Sequence, residues 1–301
     1  MKKLSLILVF SFFIHTVKSQ WLWDFGVNAS AANYLGDIGG GAGTRKNFVS
    51  DMKLAETRWN FGGFVRYKWR PKLSLKLAVD YLRLQGDDKL SANPGRQARN
   101  FNFRNDVYDV GFTGEYFFYE NNDLGNTYRY RNGFRAYIFA GVGGFMSNPK
   151  TLYKGQYVAL QPLATEGYQY RKFVANIPMG MGFYFTFNKK HRIGFELNYR
   201  KTFTDYLDDI SGNYPNVDPS TEPIIFRAQE LKNSNLDIDN PGLLDSHSPG
   251  SKRGESQHKD SYITMGFSYA YVLRGKSSFY RTRNTGFFSK KRKMRKIRAK
   301  F

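Results

Sequence analysis

Apolar and polar residues alternate with period two over eight separate stretches of this chain, the pattern of strands that have one greasy and one wet face. The first, Trp23 to Asn33, sets Trp23, Phe25, Val27, Ala29 and Ala31 on one side. The second, Thr57 to Trp69, sets Trp59, Phe61, Val65, Tyr67 and Trp69 against Asn60, Arg66 and Lys68, and the third, Leu73 to Leu84, sets Leu73, Leu75, Leu77, Val79 and Tyr81 against Ser74, Lys76 and Asp80. The fourth ends at Phe118, with Tyr108, Val110, Phe112 and Tyr116 opposite Asp109, Thr113 and Glu115. The fifth, Phe134 to Met146, is so rich in glycine that its facing stays ambiguous. The sixth (Ile177 to Phe187), seventh (Ile193 to Arg200) and eighth (Ile263 to Leu273) alternate again, and Pro178 is tolerable because it lies near a strand end.

The connections sort into two kinds. Those after odd-numbered strands are long, about 23, 16, 29 and 57 residues (34–56, 86–101, 147–175 and 204–260). Those after even-numbered strands are shorter: Arg70-Pro71-Lys72, a stretch near 120–132, and Asn188-Lys189-Lys190-His191. An even number of strands with long connections at one end and short ones at the other is the layout of a bacterial outer-membrane barrel. The predicted fold is therefore all-β: an eight-stranded antiparallel transmembrane barrel with long extracellular loops and both termini periplasmic.

The N-terminus fits export. Lys2 and Lys3 precede an apolar run from Leu4 to Ile14, and a polar stretch ends at Ser19-Gln20, the order of a secretory signal peptide. The run of 11 residues is too short to span a bilayer, and cleavage is expected near Ser19. No later stretch has 18 consecutive apolar residues, which excludes a bundle of membrane helices but not strands. The chain has no cysteine, compatible with an oxidising compartment, and this rules out thiol chemistry. The expected organisation is a signal peptide over 1–19, a barrel over 20–274 and a basic periplasmic tail over 275–301.

Composition supports a barrel. Aromatics make up 17% of the residues, with 27 Phe and 21 Tyr, yet the mean hydropathy of -0.56 is that of a polar protein. Lipid-facing rows alternating with polar lumen rows, and aromatics gathered at two interfaces, reconcile the two. A soluble sandwich or lipocalin-like barrel also alternates, but it would have to enclose rows such as Phe183, Phe185, Phe187 and Phe267, Tyr269, Tyr271 in a small interior. The formal charge of +21 is unevenly placed: residues 275–301 hold 11 Lys or Arg and no acid, whereas 204–260 hold 11 acids against five bases.

With the apolar faces turned to lipid, Arg66, Lys76, Asp80, Glu115, Glu196 and Arg200 point into a lumen that side chains fill, and an ion network plugging the barrel is expected rather than a diffusion pore. A lipid-modifying enzyme would need a histidine beside a serine and an acid at the rim. His15 lies in the signal peptide, His191 in a short turn, and His247 and His258 in a loop, so no catalytic residue is assigned. No metal-ligand spacing, cofactor motif or small-molecule substrate is assigned either. The acids Asp205, Asp208 and Asp209 read as a solvated cluster, with a calcium ion as the alternative. The run from Gly36 to Gly43 lacks the Lys-Ser/Thr ending of a phosphate cradle and reads as a flexible or tightly turning loop.

Four ordered segments carry a family likeness: Asn33-Tyr34-Leu35-Gly36-Asp37-Ile38-Gly39-Gly40; Trp69-Arg70-Pro71-Lys72-Leu73-Ser74-Leu75-Lys76 with Gly86-Asp87-Asp88; Arg99-Asn100-Phe101-Asn102-Phe103-Arg104-Asn105; and Thr204-Asp205-Tyr206-Leu207-Asp208-Asp209. In these the chain resembles the PorG family, outer-membrane barrels of the type IX secretion system of Bacteroidetes, over residues of about 20 to 210. The family-like loop residues are Gly36, Asp37, Gly39 and Gly40. The resemblance implies a non-enzymatic component, linked to gliding motility, that anchors the periplasmic ring of the lipoprotein PorK and its partner PorN (GldK and GldN in gliding bacteria). Independently, the tail carries Lys290, Lys291, Arg292, Lys293, Arg295, Lys296, Arg298 and Lys300, a charge that suits an acidic partner or anionic headgroups and, in an exported protein, seldom nucleic acid. A general small barrel of the OmpX or OmpA type, serving surface adhesion or membrane integrity, remains the alternative.

Overall fold

Alternation demands pairing, because every strand exposes backbone donors and acceptors on both edges, and in this chain the edges meet. The computed structural model describes residues 23–38, 52, 54–91, 93, 96, 101–121, 133–153, 155–216, 250–256 and 258–273. Among the described residues ten strands form: β1 Trp23–Leu35, β2 Arg58–Arg70, β3 Leu73–Asp87, β4 Asn102–Asn121, β5 Gly133–Met146, β6 Pro149–Tyr153, β7 Gln156–Ala159, β8 Phe173–Phe187, β9 His191–Thr202 and β10 Ser261–Leu273. All pairings are antiparallel. β1 pairs with β10 from Trp23 opposite Leu273 to Leu35 opposite Ser261, and β3 pairs with β4 from Leu73 opposite Tyr116 to Asp87 opposite Asn102. With β5 on β8, β8 on β9 and β9 on β10, eight strands close into a barrel. Closure removes the free edges that an open sheet of this size would expose. The remaining two strands, β6 and β7, form a hairpin inside the third long connection and touch the barrel where Arg104 and Asn105 of β4 face Lys150 and Pro149.

The facing follows the pleat. Phe25, Phe61, Val79, Phe112, Val142 and Phe267 lie outside and exposed, while their neighbours in sequence point inward. On this outer surface aromatics cluster toward both ends: Trp59, Tyr81 and Tyr108 pack in a row toward the long-loop end, and Trp23 meets Tyr67 near the short turns. The ambiguous fifth strand settles with Ile138, Val142 and Met146 outward and Tyr137, Phe139 and Phe145 inward. One irregularity re-aims a side chain: opposite β5, Phe117 pairs with Tyr137 and Tyr119 with Ala136, which leaves Phe118 as an extra residue, so that Phe118 and Tyr119 both face out. Pro178 lies within β8, opposite Arg200 of β9, without interrupting the ladder.

Two of the short connections, β2–β3 and β8–β9, are tight. Between β8 and β9 three residues turn the chain: Asn188 and Lys189 both take left-handed backbone (φ 47° and 57°), and the Lys190 amide donates to the Phe187 carbonyl at 3.0 Å, a tight turn whose twist matches that of the strands. Residues 1–22 and 274–301, which include the expected signal peptide and basic tail, lie outside the described residues, as do Gly39 and Gly40.

Candidate functional site

Two layers of inward-facing groups occupy the barrel, and its mouth is closed by the loops. Nearest the short turns, Arg66 Nε lies 2.7 Å from Glu115 Oε2 and its Nη1 lies 3.7 Å from Asp24, which Arg192 also contacts. The Arg66 guanidinium rests against three rings, Phe64, Tyr137 and Tyr184, at 5.1 to 5.5 Å. Farther up, Lys76 Nζ donates to Glu196 Oε1 and Oε2 at 2.8 and 2.5 Å, and Tyr137 Oη donates to Glu196 at 2.9 Å. Arg200 then bridges Asp109 at 2.5 Å and Asp80 at 3.2 Å, while Asn28 donates to Asp80 and Asn176 and Tyr262 donate to Asp109.

All six residues expected in a lumen network are thus placed inside and paired with one another or with Asp109 and Asp24. Asp24, Asp109, Arg192, Tyr137 and Tyr262 complete the network and were not assigned to it. Asp24 and Arg192 sit at the ends of their strands, where parity is legible but depth is not. The interior also differs from an all-ionic expectation, because Phe117, Tyr137, Phe139 and Tyr184 form an inward aromatic cluster at the turn end. Their parity places them opposite Phe118, Ile138, Phe183 and Phe185, so flanking aromatics on both faces hid the signal. Gly62 makes room for the network: a Cβ there would stand 2.1 Å from Asp80 Oδ1 and 2.6 Å from Asn28 Oδ1. The space left among Lys76, Asp80, Glu196 and Arg200 is about 30 Å³, room for about two waters.

At the other end the loops fold over the mouth around an apolar cluster that includes Tyr34, Ile38, Phe101, Phe103, Leu207 and Ile210. The acidic run lies in this cap, which corrects its reading as a solvated cluster: Asp205, Asp208 and Asp209 are all buried. Asp208 accepts from Tyr34 Oη at 2.6 Å, from the amide of Ile38 at 3.2 Å and from the amide of Ile210 at 2.9 Å. Asp209 accepts from Thr165 at 2.6 Å and Tyr170 at 2.8 Å, and Asp205 accepts from Ser211 at 2.6 Å. Carboxylates engaged by hydroxyls and amides of neighbouring segments act as loop staples, and among the described residues no group of three or more acidic, histidine or cysteine side chains is set to hold a metal. His191 packs on Tyr269 and Tyr271, and His258 is exposed in a loop; His15 and His247 lie outside the described residues.

Arg253 locks the cap. It is buried, donates to Glu166 at 2.6 Å and to the Asp209 carbonyl at 2.8 Å, and lies 5.6 Å from the Phe101 ring. Burial opposes its charge, yet Glu166 and Asp209 outweigh that cost and raise its pKa above the ordinary arginine value. Burial, then Asp209, pushes the Tyr170 phenol well up, and burial with Glu166 pushes Tyr206 up to about 12.

Three of the four segments that carry the family likeness meet in this cap. Asp37 receives the Glu255 amide at 2.8 Å, Asn105 donates to the Leu207 carbonyl at 2.8 Å, and Tyr34 and Ile38 reach Asp208. Gly36 is required there, since a Cβ would stand 1.7 Å from Tyr34 Oη. The motif residues therefore build the lid that covers the barrel.

A closed eight-stranded antiparallel barrel, apolar outside and ionic within, defines a class: the small barrel of the outer-membrane type. Residues 2–228 match the family described as Domain of unknown function (DUF6089), and the chain belongs to that family. A search of curated proteins finds no match. Among solved structures the chain is similar to Ail, the attachment invasion locus protein of Yersinia pestis, at 9% identity over 85% of this chain and 100% of that one with a TM-score of 0.39. It is also similar to the outer membrane protein OprG from Pseudomonas aeruginosa (10% identity, 84% and 95% covered, TM-score 0.36) and to Neisserial surface protein A (9%, 83% and 97%, TM-score 0.33). The barrel assignment rests on the paired strand edges themselves.

Proposed function

We propose that this chain is exported by its first 19 residues, spans the outer membrane with its capped loops outside and both termini in the periplasm, and serves there as a non-enzymatic anchor. The observation that carries this reading is a barrel closed twice, by ion pairs through its length and by an apolar lid over its mouth. Such a barrel conducts little and presents no open lumen to a substrate, which leaves its rims and its basic tail as places of work. The particular machine follows from the likeness to the PorG family: the barrel holds the periplasmic PorK and PorN ring, or GldK and GldN, of the type IX secretion system, and Lys290 to Lys300 contact an acidic face of that ring. The meeting of three family-like segments in one lid supports the likeness, because their order along the chain corresponds to one structural unit.

The test is isolation of the full-length chain from native outer membranes after cross-linking. A stoichiometric lipoprotein ring, lost when residues 276–301 are deleted, supports the anchor; a chain recovered alone with all tail residues intact rejects it. A second reading, a general surface barrel for adhesion, draws on Leu152 and Tyr157 of the β6–β7 hairpin and Tyr168 of the segment after it, which are apolar or aromatic and exposed beyond the barrel. That reading predicts loss of surface attachment when those three are replaced together, with secretion unchanged.

A further inference from the structure

Where β8 begins and β9 ends, the outer surface carries a groove of about 330 Å³ whose inner wall is the flank of the lid. Tyr168, Phe173 and Phe203 line it and are all exposed, and Arg171 and Lys259 line it beside them. Its one carboxylate, Asp205, is buried and engaged by Ser211 at 2.6 Å. Nearby Glu166 is likewise committed, receiving Arg253 at 2.6 Å and Tyr206 Oη at 3.2 Å. Among the described residues the groove therefore shows cations and aromatic faces to solvent and no open acid. Tyr206, stacked flat on Tyr170 at 4.5 Å and 7°, forms part of its wall.

Its height on the barrel decides what fits. Phe173 and Phe203 share the outward parity of β8 and β9, and below them the same outward row on β8 continues through Met179 and Met181, both exposed. The groove thus sits where the hydrocarbon-facing surface gives way to the loops. A ligand lying there meets methionines with its tails, aromatic faces with its rings and two cations with its charge. Aromatic faces suit the apolar faces of sugar rings, and Arg and Lys suit phosphate.

We propose that this groove binds the phosphorylated saccharide headgroup of a glycolipid of the outer leaflet, with Arg171 and Lys259 on phosphate and Tyr168 and Phe203 on the sugar. The site rests on the membrane-spanning reading above and adds a ligand to it.

The experiment uses the full chain reconstituted in lipid nanodiscs and released for native mass spectrometry, with a bisphosphorylated diglucosamine lipid, its dephosphorylated counterpart and inorganic phosphate as probes. The expected result is a retained one-to-one adduct with the bisphosphorylated lipid. It should weaken roughly 30-fold in Arg171→Ala/Lys259→Ala, since each basic group near a membrane surface contributes about a factor of five. Arg171→Lys/Lys259→Arg should restore most of it, and Lys189→Ala/Lys190→Ala, at the opposite rim, should leave it unchanged. Equal retention of the dephosphorylated lipid, unchanged retention in the double alanine variant, or displacement by millimolar inorganic phosphate would each overturn the assignment. A chain that enters the bilayer but shows no selective adduct rejects this site alone, whereas a chain that stays in the aqueous phase rejects the membrane reading with it.

Discussion

At the scale of single residues, the lumen illustrates why charge inside a barrel has to be balanced. Arg66 and Glu115 are both buried, so neither can recover water if its partner goes. Replacing Glu115 with Gln should destabilise the barrel by about 3–5 kcal/mol, while Arg66→Met/Glu115→Leu should recover most of that loss, because an apolar pair leaves no unmatched charge. Urea unfolding in lipid vesicles measures both; equal loss in the single and double variants would show that the charge pair is not what matters. A second residue-level effect concerns the lid. Burial and Glu166 hold the Tyr206 proton up to about 12, so the folded chain binds it more tightly than an unfolded one, whose tyrosine titrates near 10. The stabilisation is complete below pH of about 10 and is lost as pH rises through about 12. Absorbance of ionised tyrosine should therefore show a late step that disappears in Tyr206→Phe, accompanied by faster protease cleavage of the loops above that pH.

At the scale of elements, the alternation of each strand becomes a statement about solvent. Val142 of β5 faces outward beside Phe112 of β4, near the middle of the outer surface, whereas Tyr108 lies toward the loop end. Val142→Arg should cost about 2–4 kcal/mol in vesicles and Tyr108→Arg only about 0–1, the depth dependence expected of a charge on a lipid face. Equal small costs at both positions would mean that water, not hydrocarbon, bathes β4 and β5. Much of this level was legible early. The eight barrel strands, the facing of β2, β3 and β4, and the contrast between long and short connections follow from period two, which is a local property of the pleat. The glycine-rich β5 was not, since Gly141, Gly143 and Gly144 carry no side chain to betray a face. The β6–β7 hairpin was also hidden, its five-residue and four-residue strands being too short to raise a periodic signal.

At the scale of the whole molecule, two seals in series stand between the rims. A cavity of about 30 Å³ among Lys76, Asp80, Glu196 and Arg200 cannot pass a hydrated ion. Planar bilayers holding the purified chain should show no stable open channel, and a steady ohmic conductance in that assay would refute a plugged barrel. The closure that makes this seal is long-range: Lys76 and Glu196 lie 120 residues apart, and Tyr34 and Asp208 lie 174 apart. Composition and alternation alone determined that the chain builds eight barrel strands with ionic and apolar sides, because each pleat reads only its own neighbours. Which ions pair across the lumen, and that Asp205, Asp208 and Asp209 staple a lid rather than meet water, was decided only when β1 met β10 and brought distant loops over one mouth.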